Sequence, residues 1–197
     1  MFVYFRSVRH KDDKKLQAIC DAAIELITAN GFADTSMSKI AKAANVSPAT
    51  IYVYFENKED LLNKIYLFVK QIMSQEILKG VTAELSVAKA FEIIWNNYYQ
   101  YAIKNPVRFA FTEQFVNSPM VDRICKEESG SYFKPMLDLF ARGKEEKIFK
   151  NISLEMFTAF TFAPLTGLIK EHANGEIVLD RKMLKIAYQI AWDAVTN

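Results

Sequence analysis

Few residues in this 197-residue chain stand at spacings that support catalysis. The two histidines, His10 and His172, are far apart, on an N-terminal arm and at a helix end, and neither cysteine has a metal-type neighbour. No Gly-rich phosphate loop or nucleophile motif occurs. Glu127-Glu128 and Glu145-Glu146 are adjacent pairs on helical patterns, so their members point in different directions and read as solvated faces. No metal, cofactor or catalytic residue is expected. Cys20 falls on an apolar stripe and reads as a buried structural thiol, and with Cys125 it makes no disulfide framework. The residue types that do invite a function are hydroxyls at helix starts. Thr35, Ser36 and Ser47 suit caps first, and a hydroxyl that caps a helix can also donate to a phosphate oxygen.

The elements that position them are helices. Gly (6) and Pro (5) are scarce, and 51% of residues are apolar, which favours an all-α fold with few turns. A first helix over 12–30 carries Leu16, Ile19, Cys20, Ala23 and Ile27 at three- and four-residue steps. Asn30-Gly31 stops it, and Phe32 tucks back onto the core. Ser36 caps a short second helix with Met37, Ile40, Ala41 and Ala44 on its apolar face. Asn45 supplies the left-handed residue of a tight reversal, with Val46 as a buried plug. Ser47 caps a third helix with Pro48 at its first position, where Ile51 and Phe55 face inward. Two short helices joined by a tight turn, over about 36–55, form a helix-turn-helix pattern. A fourth helix follows from Asn57 to about Lys79. Further helices are expected over 85–104, 106–117, 120–147, 153–173 and 180–196, with Pro135 and Pro164 kinking or interrupting two of them.

No apolar run approaches the roughly 18 residues of a membrane span, and Arg6 and Arg9 break up the apolar start. The chain reads as cytoplasmic, without a membrane partner. Net charge is +2, and residues 1–64 hold nine Lys/Arg against eight Asp/Glu. Charge alone therefore does not announce nucleic acid.

The stretch Gly31-Phe32, Thr35 to Ala41, Ala44 to Ser47 and Ile51 to Leu62 resembles the tetracycline-repressor (TetR) family of bacterial transcription regulators. The match is dense over about 45 residues. It implies an N-terminal DNA-binding domain over 1–56 and a regulatory, ligand-binding and dimerisation domain over 57–197. It also implies phosphate contacts by Tyr54 and Lys58, which stand where this family touches the DNA backbone, with Thr35 and Ser36 as a second use of cap hydroxyls. Ser47, Ala49, Thr50 and Tyr52 are expected on the groove-facing side of the third helix, with Lys39 and Lys42 as weaker phosphate candidates. Asn45 stands where the family usually has Gly, and Ser38 and Val53 where polar or basic residues are common. The third helix holds no Lys or Arg, so its base contacts must be weak, water-mediated or apolar, such as Val53 or Ala49 on thymine methyls. Arg6, Arg9, His10 and Lys11 extend beyond the family's usual start and read either as a basic arm that touches DNA or as plain disorder.

Aromatics in the middle of the chain suit a core. The resemblance implies that some wall a small-molecule pocket, for which Trp95, Tyr99, Phe111, Phe115 and Phe133 are the candidates, with Glu113 or Gln114 as a polar anchor or plain surface. The last two helices are apolar on two sides, so each needs two partners. One partner is its own core, and the other is the same surface of a second chain about a two-fold axis. Phe157, Phe160, Ala163 and Gly167, with Leu184, Tyr188, Ala191, Trp192 and Val195, are the expected dimer contacts. The function these readings imply is a homodimeric repressor, released from a pseudo-palindromic double-stranded operator by a small hydrophobic effector. A helical small-molecule carrier or enzyme with a structural N-terminal bundle stays open as the alternative.

Overall fold

A computed structural model describes residues 10–116, 121 and 123–197. The helices are α1 (His10–Asn30), α2 (Met37–Ala43), α3 (Pro48–Tyr54), α4 (Lys58–Ile77), α5 (Val87–Lys104), α6 (Pro106–Phe115), α7 (Arg123–Ser131), α8 (Lys134–Glu145), α9 (Leu154–Ala173) and α10 (Arg181–Val195). Among the described residues the extended pairing is a single antiparallel bridge, Phe149 to Thr196. The all-α expectation holds. Arg6 and Arg9 of the basic arm lie outside the described residues, as do Asn117 and Met120 at two expected helix ends. His10 and Lys11 belong to the first turn of α1.

The single helix expected over 120–147 is two. The break falls between Ser131 and Lys134, and Pro135 sits in the first turn of α8, where its missing N–H has no helical partner to lose. Pro164 behaves differently: α9 runs on through it for 20 residues.

The chain divides into two compact units. One comprises Met1–Ile72 with Asn105–Tyr132, the other Met73–Lys104 with Phe133–Asn197. In the first, the α1 stripe of Leu16, Ile19, Cys20, Ala23 and Ile27 is buried. It shares one core with Ile40 of α2, Ile51 of α3, Leu61 and Ile65 of α4, and Phe111 and Phe115 of α6. The Asp21 carboxylate pairs with Arg108 of α6 at 3.1 Å. Packing thus recruits α6 to the N-terminal helices, so the compact unit departs from the linear division at residue 56. Burial pushes the Cys20 thiol up to about 12, in keeping with a structural role.

The second unit is built around Phe91 of α5. The rings of Phe149, Phe157, Phe162, Tyr188 and Trp192 lie with centroids 5.4 to 6.4 Å from its own, tilted or edge-on. Two polar side chains inside find partners: Trp95 Nε1 donates to Thr161 O at 3.2 Å, and the Tyr98 hydroxyl meets Thr166 Oγ1 at 2.6 Å. Arg142 of α8 donates to the Ala83 and Leu85 carbonyls, each at 2.7 Å, and so pins the α4–α5 connection. Gly143 faces the buried Phe149 ring so closely that any Cβ would collide with it.

Candidate nucleic-acid interface

The site is assembled by local capping chemistry. Ser36 is extended, and its Oγ accepts from Lys39 N at 3.2 Å to open α2. At the other end Asn45 takes φ 54°, Val46 N donates to Ala41 O at 3.0 Å, and Asn45 N to Lys42 O at 3.2 Å. This is a Schellman closure with Asn in the position glycine usually fills. Val46 then packs against the core, as a plug. Ser47 Oγ accepts from Thr50 N at 3.2 Å and Pro48 sits in the first turn, so α3 starts at once. Ile51 and Phe55 are fully buried and fix the roll of α3 about its axis.

That roll leaves Ser47, Pro48, Ala49, Tyr52 and Val53 outside. Tyr52 is 57% and Val53 75% exposed, high for apolar side chains on a packed helix. Ser47, Ala49, Tyr52 and Val53 therefore share one exposed face, as expected. Thr50 is half-buried at its edge, with Oγ1 2.9 Å from Ser47 Oγ. Tyr54 is half-buried against Phe55, with ring centroids 6.4 Å apart.

Lys58 is half-buried. Its Nζ lies 4.2 Å from the centre of the Phe32 ring and donates to Ala33 O at 3.3 Å. Lys39 Nζ donates to the neighbouring Asp34 O at 2.8 Å. Two ammonium groups thus converge on the Ala33–Asp34 turn beside the exposed Ser36 hydroxyl. An ammonium has three donors, so one bond to a carbonyl leaves donors for an anion. Lys39 reads in sequence as a solvated charge and the weaker candidate, and its contact back to residue 34 has no spacing signal. At the start of α4, Asn57 Oδ1 accepts from Asp60 N at 2.8 Å, and Asp60 Oδ2 accepts from Glu56 N at 3.0 Å.

Thr35 corrects the sequence reading. It is 1% exposed, and its hydroxyl donates to Gly31 O at 2.9 Å, with Leu26 O at 3.3 Å. It satisfies the last carbonyls of α1 and has no hydrogen for a phosphate.

The five aromatics expected around one pocket are not brought together. Phe111 and Phe115 stack into the first unit's core with centroids 5.0 Å apart. Trp95, Tyr99 and Phe133 belong to the second unit. Trp95 alone of the five lines a groove of about 330 Å³ between α9 and α10. Of the anchor candidates, Gln114 is exposed and Glu113 half-buried. Glu113 faces Lys70, whose ammonium is pushed down to about 8 by burial, with Glu113 opposing the shift.

The dimer candidates also divide. Phe160 is 54% exposed, and Ala163 and Gly167 are exposed beside it. Phe157, Ala191 and Val195 are buried in their own chain, Tyr188 and Trp192 pack on Phe91, and Leu184 is half-buried. Phe157, Val195, Tyr188 and Trp192 are thus corrected to the protomer's own interior, while Ala191 also lines the groove between α9 and α10. The outward apolar residues of α10 are Met183, Ile186 and Ile190, of which Ile190 is 64% exposed. Both stripes of α10 are apolar in sequence. The inward one carries the two aromatics, a signal that was available.

Two short helices locked by a Schellman turn, the second presenting an uncharged exposed face, define a helix-turn-helix unit joined to a longer helical unit. Residues 19–65 match the pattern of bacterial regulatory proteins of the tetR family, and residues 85–196 that of the tetracyclin repressor-like C-terminal domain. Over 180 residues the chain is 29% identical to an uncharacterized HTH-type transcriptional regulator of Haemophilus influenzae, covering 91% of this chain and 94% of that one. It is 38% identical over 96 residues to the fatty acid metabolism regulator protein of Bacillus subtilis, covering 44% of this chain and 48% of that protein, about half its length. A crystal structure of a TetR family transcription regulator from Marinobacter aquaeolei aligns with a TM-score of 0.91 at 27% identity, over 96% of this chain and 100% of the other. The chain belongs to the tetR family of bacterial transcription regulators.

Proposed function

We propose that this chain is a homodimeric repressor that binds a pseudo-palindromic operator and leaves it when a small hydrophobic effector binds its regulatory part. Residues 1–56, with Lys58 just beyond them, carry the DNA contacts, and residues 57–197 otherwise carry the regulation and pairing. The observation that carries the reading is the exposed, uncharged outer face of α3, held in place by the buried Ile51 and Phe55. Each protomer lays that face in a major groove, and two-fold pairing sets the half-sites about one helical turn, ~34–36 Å, apart. Ser36, Tyr54, Lys58 and Lys39 flank it and supply phosphate donors. No helix among the described residues is long and apolar enough to cross a membrane, and the site of action is the cytoplasm. The named relatives are regulators rather than enzymes, and no catalytic activity is proposed. The effector is apolar and contacts the aromatic interior around Trp95, Tyr99 and Phe133. Its binding shifts the dimer toward a spacing that fits the operator poorly, and DNA weakens effector binding by the same factor.

Fluorescence anisotropy of the protein against its own upstream DNA, with unrelated duplex of equal length as control, tests this at about 150 mM salt. A preference of roughly 10³-fold or more supports an operator. Equal weak binding to both rejects that region as the operator. Lys58→Ala is expected to weaken binding to all duplexes alike and to flatten the salt dependence by about one ion. A change confined to one sequence would refute its phosphate role.

A further inference from the structure

We infer that the regulator selects its operator through thymine 5-methyl groups, with Val53, Ala49 and the Tyr52 ring as the reading surface. The inference rests on α3 entering the major groove, as proposed above. Direct readout has a short list of strong pairings. Guanine is read by Arg or Lys, adenine by Asn or Gln, the cytosine amine by a carboxylate, and the thymine methyl by apolar groups. Residues Pro48–Tyr54 include none of the first three kinds.

The sequence leaves weak, water-mediated and apolar contacts open, and the structure weighs against two of the hydroxyls. Ser47 and Thr50 hydroxyls bond to each other at 2.9 Å, so one of their two hydrogens is committed, and Thr50 is half-buried. Ser47 Oγ also takes the Thr50 amide at 3.2 Å. Asn45, the nearest amide side chain, belongs to the turn, where its φ of 54° explains its type. Lys42 projects from α2, and Lys39 is bonded to Asp34 O. What α3 itself offers on one helical face is the Ala49 methyl, the Tyr52 ring with its hydroxyl at the tip, and the Val53 isopropyl group. Val53 at 75% exposure contributes almost nothing to its own core. An apolar face left in water gains by burial, and in a major groove the apolar feature is the thymine methyl.

The test begins with selection of binding sites by the full-length protein from randomised duplex. The enriched site is then resynthesised with each thymine in turn replaced by uracil, which removes the 5-methyl group alone, and titrated at one salt concentration. At one or two positions per half-site uracil is expected to weaken binding roughly three- to fivefold, the worth of one buried methyl. Val53→Ala, which leaves the fold intact because the side chain is exposed, should weaken binding to the thymine site and abolish the uracil penalty at one position. Tyr52→Phe should keep the sequence preference, because the ring and not the hydroxyl is used. Enriched sites without thymine under α3, or uracil versions bound as tightly as thymine ones, would overturn the inference and leave the operator reading standing. Absence of any enriched sequence would overturn both. A uracil penalty unchanged in Val53→Ala would remove Val53 from the reading surface.

Discussion

Thr35 and Ser36 are neighbours of similar chemistry with opposite fates. Ser36 stands in solvent and caps α2, whereas Thr35 is buried and closes α1 through Gly31 O and Leu26 O. Thr35→Val keeps the shape and removes the donor. The Gly31 carbonyl loses this donor while Leu26 O keeps the Asn30 side-chain amide at 3.1 Å, at a cost of about 1–3 kcal/mol. Urea denaturation should show the midpoint falling with the slope unchanged. Affinity for DNA measured well below that midpoint should stay near wild type; a loss of affinity without a loss of stability would restore Thr35 to the phosphate contacts. Hydroxyls of this kind are ambiguous in sequence, because cap, core bond and phosphate contact ask for the same residue types. Only the depth of each side chain, set by tertiary packing, separates them.

Elements were legible where their signals are local. The Ser36 and Ser47 caps, the Asn45 reversal and the inward Ile51 all follow from residues within one turn of where they act. The α7–α8 break was legible only as a kink or an interruption at Pro135, which marks a helix start as readily as a kink. The rotation of α10 was legible only in part: both its stripes are apolar, and the two aromatics that mark the inward one pack on Phe91, almost a hundred residues earlier. Phe111 and Phe115 were misplaced as pocket candidates for the same reason: nothing within α6 tells that they are claimed by α1. The turn supplies a prediction at this scale. At φ 54° Asn45→Gly is expected to be nearly neutral, the relief of strain offsetting the freer unfolded chain. Asn45→Val puts a β-branched side chain in a left-handed residue and should cost about 1–2 kcal/mol. Thermal unfolding of the three proteins ranks them, and a valine variant as stable as wild type would show that the turn has another conformation available.

At the scale of the molecule, the unexplained surface is the outer side of α9 and α10. Met156, Phe160, Pro164, Met183, Ile186 and Ile190 are exposed on two neighbouring helices around the groove. A monomer gains nothing from such a face, whereas the same face on a second copy, related by a two-fold axis, closes four helices over it. Phe160→Glu places a carboxylate there, where pairing would desolvate it opposite its own copy. The protomer should keep its helix content by circular dichroism, because Phe160 is 54% exposed in the single chain. Sedimentation velocity should then report a species of 22.6 kDa instead of twice that mass. With the two reading helices no longer linked, operator affinity should fall by roughly 10²–10⁴, the contribution of effective concentration, while non-specific binding per protomer changes little. A Phe160→Glu protein that remains dimeric would move the pairing surface elsewhere, and one that is monomeric yet binds the operator unchanged would show that a single α3 suffices for recognition.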